Sequence, residues 1–150
     1  MAGAPRKVQI MKALIDTNIF LDVALQRQLF LAESDQILSL VESERITGYI
    51  SASTIGDFYY VARRGIGRTA SLSFLESVLT FCRIATVDKD VIDNALELAT
   101  EADFKDFEDA ILNCTAIVNS LDTIVTRNVK DFAQSSLQIL TPGQLVQVMS

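Results

Sequence analysis

The sequence predicts an α/β domain of three layers, α/β/α, around a central parallel sheet of about five short strands. Three observations predict it. Short, almost wholly apolar runs recur at Ala13-Leu14-Ile15, Ile46–Ser51, Cys82–Val87, Thr123–Thr126 and Leu137–Leu140, as expected of strands buried on both faces. Between them lie longer stretches with apolar residues at helical spacing, and strands alternating with helices imply a parallel sheet covered on both sides. Helix-starting residues follow most of the apolar runs: Asp16-Thr17-Asn18, Ser51 to Ser53, Asp88 and Thr141-Pro142.

Taken in order, Lys12–Asp16 is the first strand, with Thr17 or Asn18 capping the next helix. Ile19–Leu25 and Phe30–Glu44 read as helical, with Ile37, Leu38 and Val41 at core spacing. After the strand Ile46–Ser51, Ser51 or Ser53 caps a helix to about Arg64, where Gly65 and Gly67 stop it. Thr69 opens another helix, to about Phe81. Cys82–Val87 is the third strand, and Asp88 caps a helix to about Thr100. Asp103 or Asp106 caps the helix that reaches Asn119, in which Phe104, Phe107 and Ile111 read as core. Thr123–Thr126 and the short Leu137–Leu140 complete the sheet, and Pro142 takes the favoured first position of the last helix.

The 150 residues, 49% hydrophobic, suffice for one domain with a real core. No repeat or linker divides them. Residues 1–10 read as an extension or tag remnant, because Met11 is available as a start; the domain is 11–150. MAGAPRKVQIM has two basic residues and no apolar core, so it does not read as a signal peptide. No apolar run reaches the ~18 residues of a membrane span. Cys82 and Cys114 read as small buried residues in a reducing cytoplasm. Histidine is absent, which removes histidine general bases and histidine-ligated zinc. The formal charge of −6 argues against sequence-independent coating of nucleic acid, though not against a local basic rim around an acidic centre.

The chemistry left to the chain lies at one sheet edge. Asp16 ends strand one, and Asn128 follows strand four in Thr126-Arg127-Asn128. Asp57 lies early in the helix after strand two. Asp106 and Asp109 open the helix leading into strand four and share one helix face. In parallel α/β sheets, ligands bind outside the carboxyl ends of the strands. Carboxylates gathered there repel unless a cation neutralises them. Oxygen donors without His or Cys favour Mg²⁺ or Mn²⁺, which can promote in-line displacement at phosphorus. Each piece alone has an ordinary alternative. Asp16 and Asp106 could be helix caps, Asp57 a solvated helix residue, and Thr126-Arg127-Asn128 a turn. Their coincidence at one edge favours function.

Leu14-Ile15-Asp16-Thr17-Asn18, Asp106-Phe107-Glu108-Asp109-Ala110-Ile111, Ile124-Val125-Thr126-Arg127-Asn128, Lys130-Asp131-Phe132 and Ile139-Leu140-Thr141-Pro142 together resemble the PIN domain family. The resemblance spans residues 11–148. It implies a metal-dependent ribonuclease, often the toxin of a bacterial toxin–antitoxin pair of the VapC type, with RNA as substrate, an antitoxin protein as partner, and frequent dimerisation. By motif, Asp16 matches the family's first acid, Asp109 its third, and Asp106 an extra acid just before the third. The second acid is usually Glu; here the candidate is Asp57, one methylene shorter. The fourth position, often Asp, is Asn128. The resemblance thus implies Asp16, Asp57 and Asp109 as catalytic residues, and Asp16, Asp106, Asp109 and Asn128 around the metal. Thr17, Asn18 and Thr126 are candidates for supporting or phosphate contacts. Arg63, Arg64, Arg68 and Arg127 are candidates for gripping RNA phosphates, although Arg63 and Arg64 could simply be a solvated helix end.

Rival readings make sharper demands on the residues. A haloacid-dehalogenase-type phosphatase needs a second Asp two residues after the first, where Asn18 stands. A receiver domain needs a paired acid beside Asp16 and a Lys after the last strand, and neither is present, although Asp88 could serve as its phosphoacceptor. A non-enzymatic PIN-like module binding RNA or protein is the remaining alternative. Glu33–Val41 and Thr54–Arg64 carry apolar residues beyond one narrow stripe, including Phe58, Tyr59, Tyr60 and Val61. Closed two-fold dimers are the commonest oligomers, so the chain is expected to form a homodimer.

Overall fold

The structure is a computed structural model that describes residues 9–101, 104 and 106–150. Most of the N-terminal extension and the alternative cap Asp103 lie outside the described residues. The elements run β1 (Lys12–Ile15), α1 (Thr17–Ala24), α2 (Leu31–Glu42), β2 (Thr47–Ser51), α3 (Ile55–Leu79), β3 (Arg83–Ala85), α4 (Lys89–Glu101), α5 (Phe107–Val118), β4 (Thr123–Val125), β5 (Gln138–Leu140) and α6 (Pro142–Met149). Short 3-10 turns cover Ala52–Thr54 and Val129–Phe132. The five strands form one sheet in the order β3-β2-β1-β4-β5, parallel at every pairing.

Side chains alternate across a strand, and the strands divide one core into two layers. Ala13, Ile15, Ile50, Val125 and Leu140 pack with α1, α2, α3 and α6. Leu14, Ala85 and Ile124 pack with α4 and α5 around Val91, Ala95 and Phe132. Gly48 sits where α2 crosses β2. A Cβ there would lie 2.7 Å from Val41 Cγ2 and 3.0 Å from Ile15 Cδ1, so the crossing needs glycine.

Several boundaries differ from the sequence reading. Asp16 itself, extended at φ −62°, ψ 144°, is the residue before α1, so neither Thr17 nor Asn18 caps it. The helix after β2 runs through Gly65 and is broken at Gly67 (φ 85°, ψ 170°), one of its two expected stops, and the expected second helix follows as another arm to Leu79. A straight helix would separate Phe58 from Phe74 by about 24 Å. Their rings instead stack at 5.5 Å, so the two arms fold back on each other. Gly65 serves packing, since a Cβ there would meet Leu25 Cδ2 at 2.6 Å. β3 is only Arg83–Ala85, with Cys82 buried just ahead of it as a free thiol. Phe107 is not core: it is 41% exposed, because Asp106 caps the helix and turns its first residue outward. Phe104 is buried as expected, and Ile111 half-buried. Asp88 accepts from the Val91 amide at 3.1 Å, and Thr141 with Gln144 forms a reciprocal capping box on α6.

Candidate active site

The strand order reverses at β1. From β1 the chain steps to β2 and β3 on one side, then returns to β4 and β5 on the other. A crevice opens at the carboxyl edge of such a switch point, and here it is a cleft of about 520 Å³. Asp16, Thr17, Asn18, Asp57, Asp109 and Asn128, which come from four separate segments of the sequence, all line it. The structure therefore brings together six of the residues singled out from the sequence.

Asp16 sits at the end of β1, where its backbone amide still bonds to Val125 O at 3.0 Å. Burial pushes its carboxyl above the usual carboxylate range. The Thr126 hydroxyl, the Thr17 and Asn18 amides and the Arg127 charge pull it partly back. Thr126 donates to Asp16 Oδ2 at 2.8 Å and accepts from the Asn128 amide at 3.1 Å. Thr126 is fully buried, so of the two contacts the sequence allowed it, support or phosphate, its place is the first: it orients Asp16 from beneath the cleft.

Asp109 lies in the first turn of α5. Burial raises its pKa to about 7, with further pushes from the charges of Asp106, Asp131, Asp16 and Glu108. Asp106 is the N-cap: its Oδ1 accepts from the Glu108 amide at 2.8 Å and the Asp109 amide at 3.2 Å. It lies outside the main cleft, in an adjoining hollow shared with Asp109, Lys130 and Asp131. Asp57, in the first turn of α3, is exposed on the opposite wall.

Arg127 is placed differently from the expectation. Its Nε bonds to Asp22 Oδ2 at 3.0 Å and its Nη2 to Asp22 Oδ1 at 3.1 Å. The Phe30 ring covers its guanidinium at 3.7 Å. It is engaged inside the fold and does not project as a phosphate grip. Arg63 and Arg64 lie 5.1 Å from the ring of Tyr60, which borders the cleft. They and Arg68 are exposed on α3 but do not line the cleft, and Arg63 and Arg64 lie in the last turn before the break at Gly67, as a solvated helix end would.

Three acidic residues escaped the sequence reading. Glu108 and Asp131 line the cleft. Asp131 stood within a quoted motif, Lys130-Asp131-Phe132, and its place three residues after Asn128 was the available signal. Asp22 is buried, and its signal was an isolated charge inside the apolar run Ile19-Phe20-Leu21-Asp22-Val23.

The donors fit a hard divalent cation. They are carboxylate oxygens and the Asn128 amide, without thiolate or imidazole. Among the described residues no three acidic or cysteine side chains group closely enough to enclose an ion alone. Mg²⁺ is commonly held by one or two carboxylates, waters and substrate phosphate. The upward shift of Asp109 comes first from burial and then from its acidic neighbours.

A family model described as PIN domain matches residues 12–130. No curated protein matches. Solved structures do. VapBC2 from Rickettsia felis, bound to a DNA fragment from its promoter, is similar at TM-score 0.70 and 21% identity, covering 87% of this chain and 98% of that one. A toxin–antitoxin complex from Klebsiella pneumoniae is similar at TM-score 0.64 and 28% identity, covering 87% and 97%. Mycobacterium tuberculosis VapC20, a toxin that cleaves the sarcin–ricin loop, is similar at TM-score 0.61 and 16% identity, covering 75% and 86%. The five-stranded parallel sheet, the acidic cleft at its switch point and the family match over most of the chain lead to one assignment: this chain belongs to the PIN domain family.

Proposed function

We propose that the protein is a metal-dependent endoribonuclease that hydrolyses RNA phosphodiester bonds and acts as the toxin of a toxin–antitoxin pair. The observation that carries this reading is the meeting of Asp16, Asp109 and Asn128 with Asp57 in one cleft at the sheet's switch point. Asp16 and Asp109 would hold Mg²⁺ or Mn²⁺, with Asn128 beside them and Asp106 acting mainly by its charge and its cap. When bound, the cation supplies the positive charge that balances the carboxylates and the charge developing at phosphorus.

The chain's own residues do the rest. Thr126 and the start of α1 hold Asp16 in one orientation. Asp57, exposed on the facing wall, can accept a proton from an attacking water or orient it. Asn18 and Asn128 are neutral and can meet phosphate oxygens without adding repulsion. Arg63, Arg64 and Arg68 on α3 offer positive charge beyond the rim for the flanking RNA backbone. The complexes among the similar structures support an antitoxin partner. Among the described residues no helix is long and apolar enough to cross a membrane, and two buried free thiols suit a cytoplasmic setting.

Cleavage of single-stranded RNA with Mn²⁺ and with chelator tests the reading. Asp16→Asn and Asp109→Asn should each abolish metal-dependent cleavage, whereas Asp88→Asn, at a helix cap away from the cleft, should leave it intact. Equal loss in all three would refute the assignment. A wild type that binds RNA without cutting it would favour the non-enzymatic module.

A further inference from the structure

Among the described residues Asp22 is the one charged side chain fully removed from solvent. A carboxylate at that depth is costly unless it is paired and hydrogen-bonded, and Asp22 is. Arg127 grips it with both arms of its fork, at 3.0 and 3.1 Å. Ser34 Oγ donates to Oδ2 at 2.8 Å, and Arg27 Nη1 stands 3.4 Å from Oδ1. Asp22 itself does not line the cleft, yet both arginines lead there. Arg127 sits in sequence between Thr126, whose hydroxyl holds Asp16, and Asn128, which borders the cleft. Arg27 Nη1 also donates to Asn18 Oδ1 at 3.3 Å.

The Arg27 bond has a chemical consequence. An asparagine amide offers an acceptor at one end and donors at the other. With its oxygen facing Arg27, Asn18 presents its NH₂ group as the end free to donate. A hydrophobic cluster could fill the space around Asp22 at least as stably, but it would fix neither the rotation of Asn18 nor the path of the chain through Arg127. The planar fork of arginine supplies that geometric definition.

We infer that Asp22 is a positioning residue of the cleft. Through Arg127 it sets the Thr126–Asn128 segment, and through Arg27 it turns the Asn18 amide to donate to a phosphate oxygen of the substrate. The phosphate contact rests on the nuclease reading; the clamp does not.

Two variants test it. Arg27→Met cuts the arm to Asn18 and leaves the buried Asp22–Arg127 pair. Asp22→Leu combined with Arg127→Met removes both buried charges at once, so neither is left unpaired. Each is compared with wild type at a temperature where circular dichroism shows it fully folded. The first readout is cleavage of a single-stranded RNA oligonucleotide with Mn²⁺, resolved into kcat and KM. Loss of a group that orients metal-site residues costs about 10–100-fold; that fall is expected in kcat for the double variant, a smaller one for Arg27→Met, and KM within about twofold. The second readout needs no activity. In metal-free protein, the Asn18 side-chain amide NMR signals should shift in both variants, and the Asn128 backbone amide should lose exchange protection in the double variant. Folded variants with wild-type kcat would overturn the inference, and so would unchanged Asn18 and Asn128 signals. If wild-type protein cleaves no RNA, the nuclease reading fails by itself and the NMR comparison decides the clamp. If the double variant does not fold, Arg27→Met decides it by both readouts.

Discussion

Thr126 Oγ1 donates a 2.8 Å hydrogen bond to Asp16 Oδ2 across 110 residues of chain. The same oxygen receives the Asn128 amide at 3.1 Å. One buried hydroxyl therefore joins the end of β1 to the turn after β4 and has no proton left to donate to a substrate phosphate.

Thr126→Val keeps the shape and removes the hydroxyl. Losing a buried hydrogen bond to a charged group should cost about 1.5–3 kcal/mol in urea unfolding. Without this bond the Asp16 carboxyl moves further up, because burial is left less opposed. The acidic limb of the pH–rate profile should then move to higher pH. Thr126→Ser retains the donor and should stay close to wild type in both measurements. Equal behaviour of the Val and Ser variants would show that the hydroxyl does not matter.

Asp109 makes metal-free stability depend on pH. Its folded pKa is raised to about 7, against an unfolded value of ~3.9. The folded state thus binds the proton more tightly. This stabilising contribution is complete below pH ~4 and is lost as pH rises to about 7. Metal-free Asp109→Asn should lose less stability across that window and should melt above metal-free wild type at pH 7. Added Mn²⁺ should raise the wild-type melting temperature more than that of the variant, because a ligand of the folded state stabilises by mass action. If Asp109 acts only as a favourable charge at a helix start, the variant melts lower and Mn²⁺ changes neither. Scanning calorimetry with chelator and with Mn²⁺ separates the two.

Gly48→Ala should destabilise the fold by about 1–3 kcal/mol through overpacking, since its Cβ would sit 2.7 Å from Val41. Urea unfolding of this variant beside Gly56→Ala, where a Cβ meets nothing within 4 Å, checks it. Equal midpoints would mean that α2 can shift away from β2 at no cost.

Self-association is expected through α3. Tyr60 is 51% exposed and Val61, Ile66, Leu72 and Leu79 are exposed beside it on the same two-armed helix, and tyrosine is favoured in interfaces. Light scattering at tens of micromolar should give the mass of a dimer. A monomer mass at that concentration counts against it.

The sheet was legible because its strands are buried on both faces and so stand out as apolar runs. The cap at Thr141 and Gln144 was legible because its chemistry is local. Asp16, Asp57, Asp109 and Asn128 could be grouped because strand ends and helix starts fix a residue's place without any knowledge of its contacts. Arg127 could not be assigned correctly that way. Whether a guanidinium faces outward or inward depends on a buried acid 105 residues away, and although Asp22 interrupts an apolar run, nothing local pairs it with Arg127. The break at Gly67 and the helix beyond it were legible, but the role of Gly65 was not: it meets the packing demand of Leu25, while Gly67 alone supplies the left-handed backbone.

The placement of β1 between β2 and β4 has a consequence for how the cleft comes into being. β1 is made early but is flanked on one side by a strand more than a hundred residues later. Contacts of that span are costly to close and slow to form. A chain cut before Thr123 would leave Asp16 on an open sheet edge, without Thr126 to hold it or Asn128 beside it. Such a fragment would carry Asp16, Asp57 and Asp109 but not the wall that completes the cleft, which arrives only when β4 pairs with β1.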